Sequence, residues 1–295
     1  MAGEERFEET VAGGTIAARL FAGDGPVARI HVLHGAVGVP RDFYAPFAQW
    51  LGSLPGEACL IYGYRGLGDP PERLRRSTIT LGDWGVVDQD HMLGWAASNF
   101  PRAELRVIGH SLGGFMTMFH ADAGRIHTLT AVCSGPAWWR RTPRAHRHKA
   151  WLFWYVLGPL ANRLRGYSDG RINGIGADLP IAAFEQWKRW CTNPDLHRPD
   201  WGGVLPEPDL SAFTGRLRLI AAADDWIIAP DVVRDLARFY PAAREVTFRS
   251  FTPAEAGAPA LGHFGLFRRR ASRAWPAIAG LAVSPPRFDG PGAAG

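Results

Sequence analysis

The chain is a succession of short apolar runs separated by glycine-rich or polar turns. Residues 7–11 and 15–21 predict two antiparallel strands that lead into a third, fully buried one at 28–33. Further strands are expected at 59–64, 105–108, 129–133, 217–222 and 245–251. Helices fall between them. One follows Phe43-Tyr44 and runs through Leu51, and another spans 81–100, where Trp84, Val87, Met92, Trp95 and Ala96 recur at approximately helical spacing. Others start at Leu112 and cover 231–239 and 268–281.

Strands that alternate with helices through mostly short connections predict an α/β fold. Its central sheet is mostly parallel, flanked by helices on both faces, and it binds ligands at the carboxyl ends of its strands. The alternation breaks once. Residues 136–213 hold seven of the twelve tryptophans and two predicted helices, 149–164 and 180–190, around a polar, glycine-rich stretch at 166–176. This segment reads as a helical lid over the ligand edge, inserted before the strand that leads to Asp224-Asp225. The expected division is a core of residues 1–135 and 214–283, a lid of residues 136–213 and a flexible tail of residues 284–295.

The stretch 105–118, LRVIGHSLGGFMTM, turns a strand directly into a helix at Ser111. Its centre, Gly109-His110-Ser111-Leu112-Gly113, has the form G-x-S-x-G, in which a serine on a strained turn presents its hydroxyl. Gly109, Gly113 and Gly114 leave room for that turn. A serine hydroxyl is a poor nucleophile until a positioned base takes its proton, and that base is oriented by a buried carboxylate. The Asp224-Asp225 pair, just past strand 217–222, and His263, in a loop after the last strand, follow Ser111 in the chain. An oxyanion needs two preorganised donors. The Leu112 N–H is one, and the loop after strand 28–33 supplies the other, with Ala36 best placed. His34, His91, His110, His120 and His127 are read as structural, and His146 and His148 as facing solvent.

Composition narrows the remaining choices. At 295 residues the chain can bury a sizeable core, and its apolar and charged fractions are ordinary for a soluble globular protein. A net charge of +5, carried mostly by arginine, raises the question of anionic partners. The basic residues are dispersed except at 140–149 and 268–270, and no nucleic-acid motif accompanies either run, so both read as solvated faces and no nucleic-acid partner is expected. The amino end is acidic without an apolar segment, and the longest apolar run, 150–161, is too short to span a bilayer. A cytoplasmic protein is expected, with residues 151–154 of the lid as the stretch suited to rest on a lipid surface. Cys59, Cys133 and Cys191 form no C-x-x-C pair and no metal-spaced cluster, so neither a metal nor another cofactor is expected.

The segments HGAVGVP, YRGLGD, GHSLGG, DDW and GHFGLF together resemble the α/β-hydrolase superfamily, in particular the serine aminopeptidase S33-like group of bacterial hydrolases. The resemblance extends over residues 28–281. It implies a cofactor-free serine hydrolase, most often an esterase or lipase-like enzyme, with Ser111 as nucleophile, His263 as base and an aspartate as acid. In related hydrolases the acid precedes a hydrophobic segment like Trp226-Ile227-Ile228, which favours Asp225. Asp224 stays open, because Ala221-Ala222-Ala223 stands where a glycine is usual. The Trp-rich, Arg-rich lid is the second departure, and it suggests a small, largely apolar acyl substrate. An acyltransferase with the same triad, or a non-catalytic protein that binds a small ligand, would share these features.

Overall fold

The computed structural model describes residues 2–174 and 176–281; the tail expected at 284–295 lies outside the described residues. Eight strands form one sheet: β1 (Gly3–Val11), β2 (Gly14–Ala22), β3 (Arg29–His34), β4 (Glu57–Tyr62), β5 (Glu104–His110), β6 (Thr128–Val132), β7 (Arg216–Ala222) and β8 (Glu245–Phe251). Their order is β1-β2-β4-β3-β5-β6-β7-β8. β1 and β2 pair antiparallel with each other, β2 pairs antiparallel with β4, and every later pairing is parallel. β1 is a mostly exposed edge, and its sequence GEERFEETV sets charges along it that discourage pairing with another chain. β4 and β6 are buried throughout, as strands covered by helices on both faces must be.

Period-two alternation divides the core. Val32, Leu60, Val107 and Leu129 face the side covered by α2 (Gln89–Asn99), whereas Leu33, Ile61, Ile108 and Val132 face α1 (Ala45–Gly52) and the C-terminal turns. A third, smaller cluster of Ala150, Trp154, Phe184 and Cys191 sits within the segment between β6 and β7.

Five predicted helices differ from expectation. After Ser111 the helix is a single turn, α3 (Leu112–Phe115), followed by a 3₁₀ turn at Thr117–Phe119. Gly113 and Gly114 are weak helix formers, and the Gly113 and Gly114 carbonyls are taken up by Thr117 and Tyr240. The stretch expected at 149–164 comprises α4 (Arg147–Leu152), a widened π-type turn at Phe153–Leu157 and α5 (Gly158–Arg165). Pro159 explains the widening, since it offers no N–H to the preceding turn and its ring crowds that turn. The last helix is only α8 (Trp275–Ile278), preceded by a 3₁₀ stretch kinked at Ala271, where φ is −104°. The helix expected at 81–100 opens on a π-type segment at Asp83–Asp88 before α2, and the one expected at 231–239 is α7 (Pro230–Arg234) followed by a 3₁₀ turn at Asp235–Phe239, whereas α6 (Ile181–Thr192) stands close to its expected position. Among the described residues no helix is long and apolar enough to cross a membrane.

Candidate active site

Ser111 occupies the sharp turn from β5 into α3 with φ 54° and ψ −114°. A non-glycine residue there stores strain of about 1–3 kcal/mol, and the surroundings must hold it. They do so from both sides: the Ser111 N–H donates to the Val132 carbonyl at 3.0 Å, and the Ser134 hydroxyl donates to the Ser111 carbonyl at 2.6 Å. A Cβ on Gly113 would collide with the His34 carbonyl, and one on Gly109 with the backbone of Gly114. The glycines therefore serve close approach of three chain segments.

The structure separates the two aspartates. Asp225 Oδ2 lies 2.8 Å from His263 Nδ1, and its Oδ1 accepts the N–H groups of Ile227 at 2.8 Å and Ile228 at 3.1 Å. Both members of the Asp225–His263 pair are buried. Asp224 instead grips the loop before the histidine, accepting the Leu261 and Gly262 N–H groups at 2.9 Å each. Cys133, itself at φ 46°, completes a group with Asp225 and His263 whose ligand-type atoms lie within 4.8 Å of one another. Burial, then the Asp225 charge, pushes the Cys133 thiol well above its ordinary range. A protonated thiol beside an aspartate already bonded to a histidine is a hydrogen-bonded cluster and a poor cation ligand set.

Ala36 is placed differently from the expectation that its N–H faces substrate. That N–H donates to the Tyr44 hydroxyl at 2.9 Å, while the Gly35 carbonyl accepts from the Tyr64 hydroxyl at 2.8 Å, so the Gly35–Ala36 peptide is held at both ends. Tyr44 donates in turn to His110 Nδ1 at 2.8 Å, and the His110 Nε2–H donates to the His263 carbonyl at 2.9 Å. Burial drives the His110 pKa down to about 3, so the ring is neutral with its proton on Nε2. The neighbouring Val37 N–H has no hydrogen-bond partner among the described residues, nor has the Leu112 N–H. Val37, Ser111 and Leu112 border one small cavity of about 40 Å³.

A larger cavity of about 320 Å³ opens beside it, bordered by Ser111 and His263. Trp139, Phe153, Trp154, Leu157 and Trp187 wall it from the segment between β6 and β7, and Trp226, Ile227 and Ile228 wall it from the loop after β7. Other tryptophans of that segment brace it: Trp190 donates to Asp200 at 2.7 Å and Trp201 to His197 at 2.8 Å. Arg141 bonds Asp231 at 2.8 Å and also Asp235, anchoring part of the basic run to α7 and the turn after it. Lys149, also of that run, borders the larger cavity.

Tyr44, Val37, Cys133 and Trp226 are the site neighbours that sequence reasoning left without a role. Tyr44 did stand in the sequence as the aromatic following the HGAVGVP loop, but its reach to Ala36 and His110 depends on tertiary packing.

The family model described as serine aminopeptidase, S33, matches residues 24–179. Among solved structures, a soluble variant of monoglyceride lipase from Saccharomyces cerevisiae superposes with a TM-score of 0.62 at 14% identity, covering 95% of this chain and 96% of that one. A thermophilic esterase from Thermogutta terrifontis gives a TM-score of 0.54 at 16% identity, covering 94% and 97%. An alpha-beta serine hydrolase homologue from Coxiella burnetii gives 0.55 at 12%, covering 94% and 97%. A search of curated proteins by sequence finds no match.

Proposed function

This chain belongs to the serine aminopeptidase S33 family of α/β-hydrolases, and from that premise we propose that it hydrolyses carboxylic esters of small, largely apolar acyl groups. The observation that carries this reading is that Ser111 and His263, the latter bonded to Asp225, border one aromatic-walled cavity. Ser111 Oγ attacks the ester carbonyl while His263 Nε2 takes its proton. Asp225 holds the Nδ1–H and stabilises the imidazolium. The oxyanion rests on the Leu112 N–H and, in place of the expected Ala36, the Val37 N–H. Collapse returns the proton to the departing alcohol. Water, deprotonated by His263, then attacks the acyl-enzyme and releases the acid. Residues 136–213 act as the lid whose tryptophans receive the acyl chain.

The fold relatives described as esterases and a monoglyceride lipase support an ester over an amide substrate. Each methylene buried against such walls is worth about 0.8 kcal/mol, so two of them favour butyrate over acetate by roughly tenfold in kcat/KM. p-Nitrophenyl esters of graded chain length test this. The expected result is that rise with chain length, together with loss of turnover and of fluorophosphonate labelling in Ser111→Ala. Full activity in Ser111→Ala would overturn the mechanism, and a preference for acetate would overturn the substrate assignment.

A further inference from the structure

The amino ends of β5 to β8 carry a second constellation that ester hydrolysis does not use. In the strand register Arg106 lies beside Thr128, Thr128 beside Arg216 and Arg216 beside Glu245, so their side chains share one face. Arg218 and Thr247, themselves a register pair, lie two residues further along the same face. The chain end after α8 covers them: Arg218 Nη2 donates to the Ala277 carbonyl at 2.9 Å, and Arg106 Nη1 to the Ala279 carbonyl at 3.4 Å. A cavity of about 60 Å³ remains beneath this cover, bordered by all three arginines, Thr247 and Gly280.

Arg218 is the unusual member. It is 8% exposed, and among the described residues no carboxylate pairs with it. Arg106 has Glu104 at 2.6 Å, and Arg216 has Glu245 at 3.2 Å. Arg218 Nε and Thr247 Oγ1 are both buried without a hydrogen-bond partner, although each is a polar atom that burial penalises when it is left unpaired. Burial and the Arg106 charge both press the Arg218 guanidinium below its ordinary pKa. A buried guanidinium without a counter-charge is costly, and a bound anion removes that cost.

We propose that this cavity is a binding site for a tetrahedral oxyanion, a phosphate or sulfate group, held by Arg218 Nε and Thr247 Oγ1 with Arg106 and Arg216 alongside. Arg106 and Arg216 are offset by Glu104 and Glu245, which leaves the Arg218 guanidinium as the uncompensated positive charge that an anion meets. The volume holds about four to six water-sized groups, the scale of one such anion with its four oxygens. Arginine presents its N–H groups in a planar fork suited to adjacent oxyanion oxygens. The site lies at the amino ends of the strands, away from Ser111, so its test is independent of the proposed activity.

Titration calorimetry of the full chain with inorganic phosphate, at constant ionic strength maintained with chloride, reads this directly. One anion is expected per chain, with affinity at least tenfold weaker in Arg218→Met and several-fold weaker in Thr247→Val. A thermal scan adds a signature that a merely structural arginine would not give. In phosphate-free buffer Arg218→Met matches or exceeds the wild-type Tm, and it loses the rise in Tm that phosphate produces in the wild type. Glycerol 3-phosphate in a parallel titration separates the sources: tighter binding than inorganic phosphate assigns the site to a phosphate ester, and equal or weaker binding assigns it to the free anion. No binding of either ligand to the wild type, or wild-type affinity in both variants, would overturn the proposal. Should Arg218→Met fail to fold, Thr247→Val alone decides between these outcomes.

Discussion

Asp224 and Asp225 are adjacent and chemically identical, yet opposite directions of their side chains give them different work. Asp225 accepts from His263 Nδ1 and two backbone N–H groups, whereas Asp224 accepts only from the loop at Leu261 and Gly262. Asp225→Asn places an amide where the imidazole needs an acceptor, and kcat is expected to fall by about 10⁴ with the fold retained. Asp224→Asn still offers one acceptor but turns an NH₂ toward the other N–H, at a cost of about 1 kcal/mol or less at this exposed position and a much smaller loss of kcat. Ester kinetics and urea midpoints of the two variants check this, and comparable kcat values would refute the division of roles. The sequence carried the pair and its order after Ser111, but its three preceding alanines blurred the register. Which carboxylate faces the histidine depends on how the chain turns after Ala222, and no pattern of residue types encodes that turn. Ala36 was misplaced for a similar reason: its N–H answers to a tyrosine ring eight residues away, whose position is set by packing against His110 and Phe267.

At the scale of the element, the turn at Ser111 works because glycines let β3, β5 and α3 approach closely. Gly113→Ala would press a Cβ into the His34 carbonyl at the end of β3, a backbone atom that cannot swing aside. A destabilisation of about 3 kcal/mol or more is expected, read as a lowered urea midpoint. An unchanged midpoint would show that the elbow tolerates a wider spacing. Strands proved the most legible elements, since buried parallel strands impose continuous apolar runs such as 217–222 and 129–133. Helices were legible as to place and less so as to length. Periodicity continued through Pro159 and through residues 268–281, where proline geometry and the Ala271 kink break the regular ladder.

For the molecule as a whole, buried imidazoles set the response to acid. Burial pulls His110, His120 and His197 from the ordinary 6.5 down to about 3. Below pH 6.5 the unfolded chain takes up these protons and the folded one does not, so stability falls as pH falls from 6.5 toward 3. Asp88, pushed up to about 6 chiefly by burial, acts in the opposite sense, because the folded state holds its proton first. His31 and His34, also held low by burial, act with the three imidazoles, so the loss of stability on acidification outweighs the Asp88 gain. Urea denaturation at pH 7, 6 and 5 measures the slope, and a flat profile would contradict the burial of these rings. The alternation of strand and helix made this two-sided architecture readable from the chain, and the tryptophans marked a segment that walls the cavity. Which tryptophans line it and which brace it was not written in composition, because Trp187 and Trp190 are three residues apart on one helix and differ only in what each one meets. G-x-S-x-G leaves its second position unspecified, but in this molecule His110 stands there and spans Tyr44 and the His263 backbone, joining segments 66 and 153 residues away from it. The blank in the motif belongs to the notation, since this chain has filled it with a part cut to length.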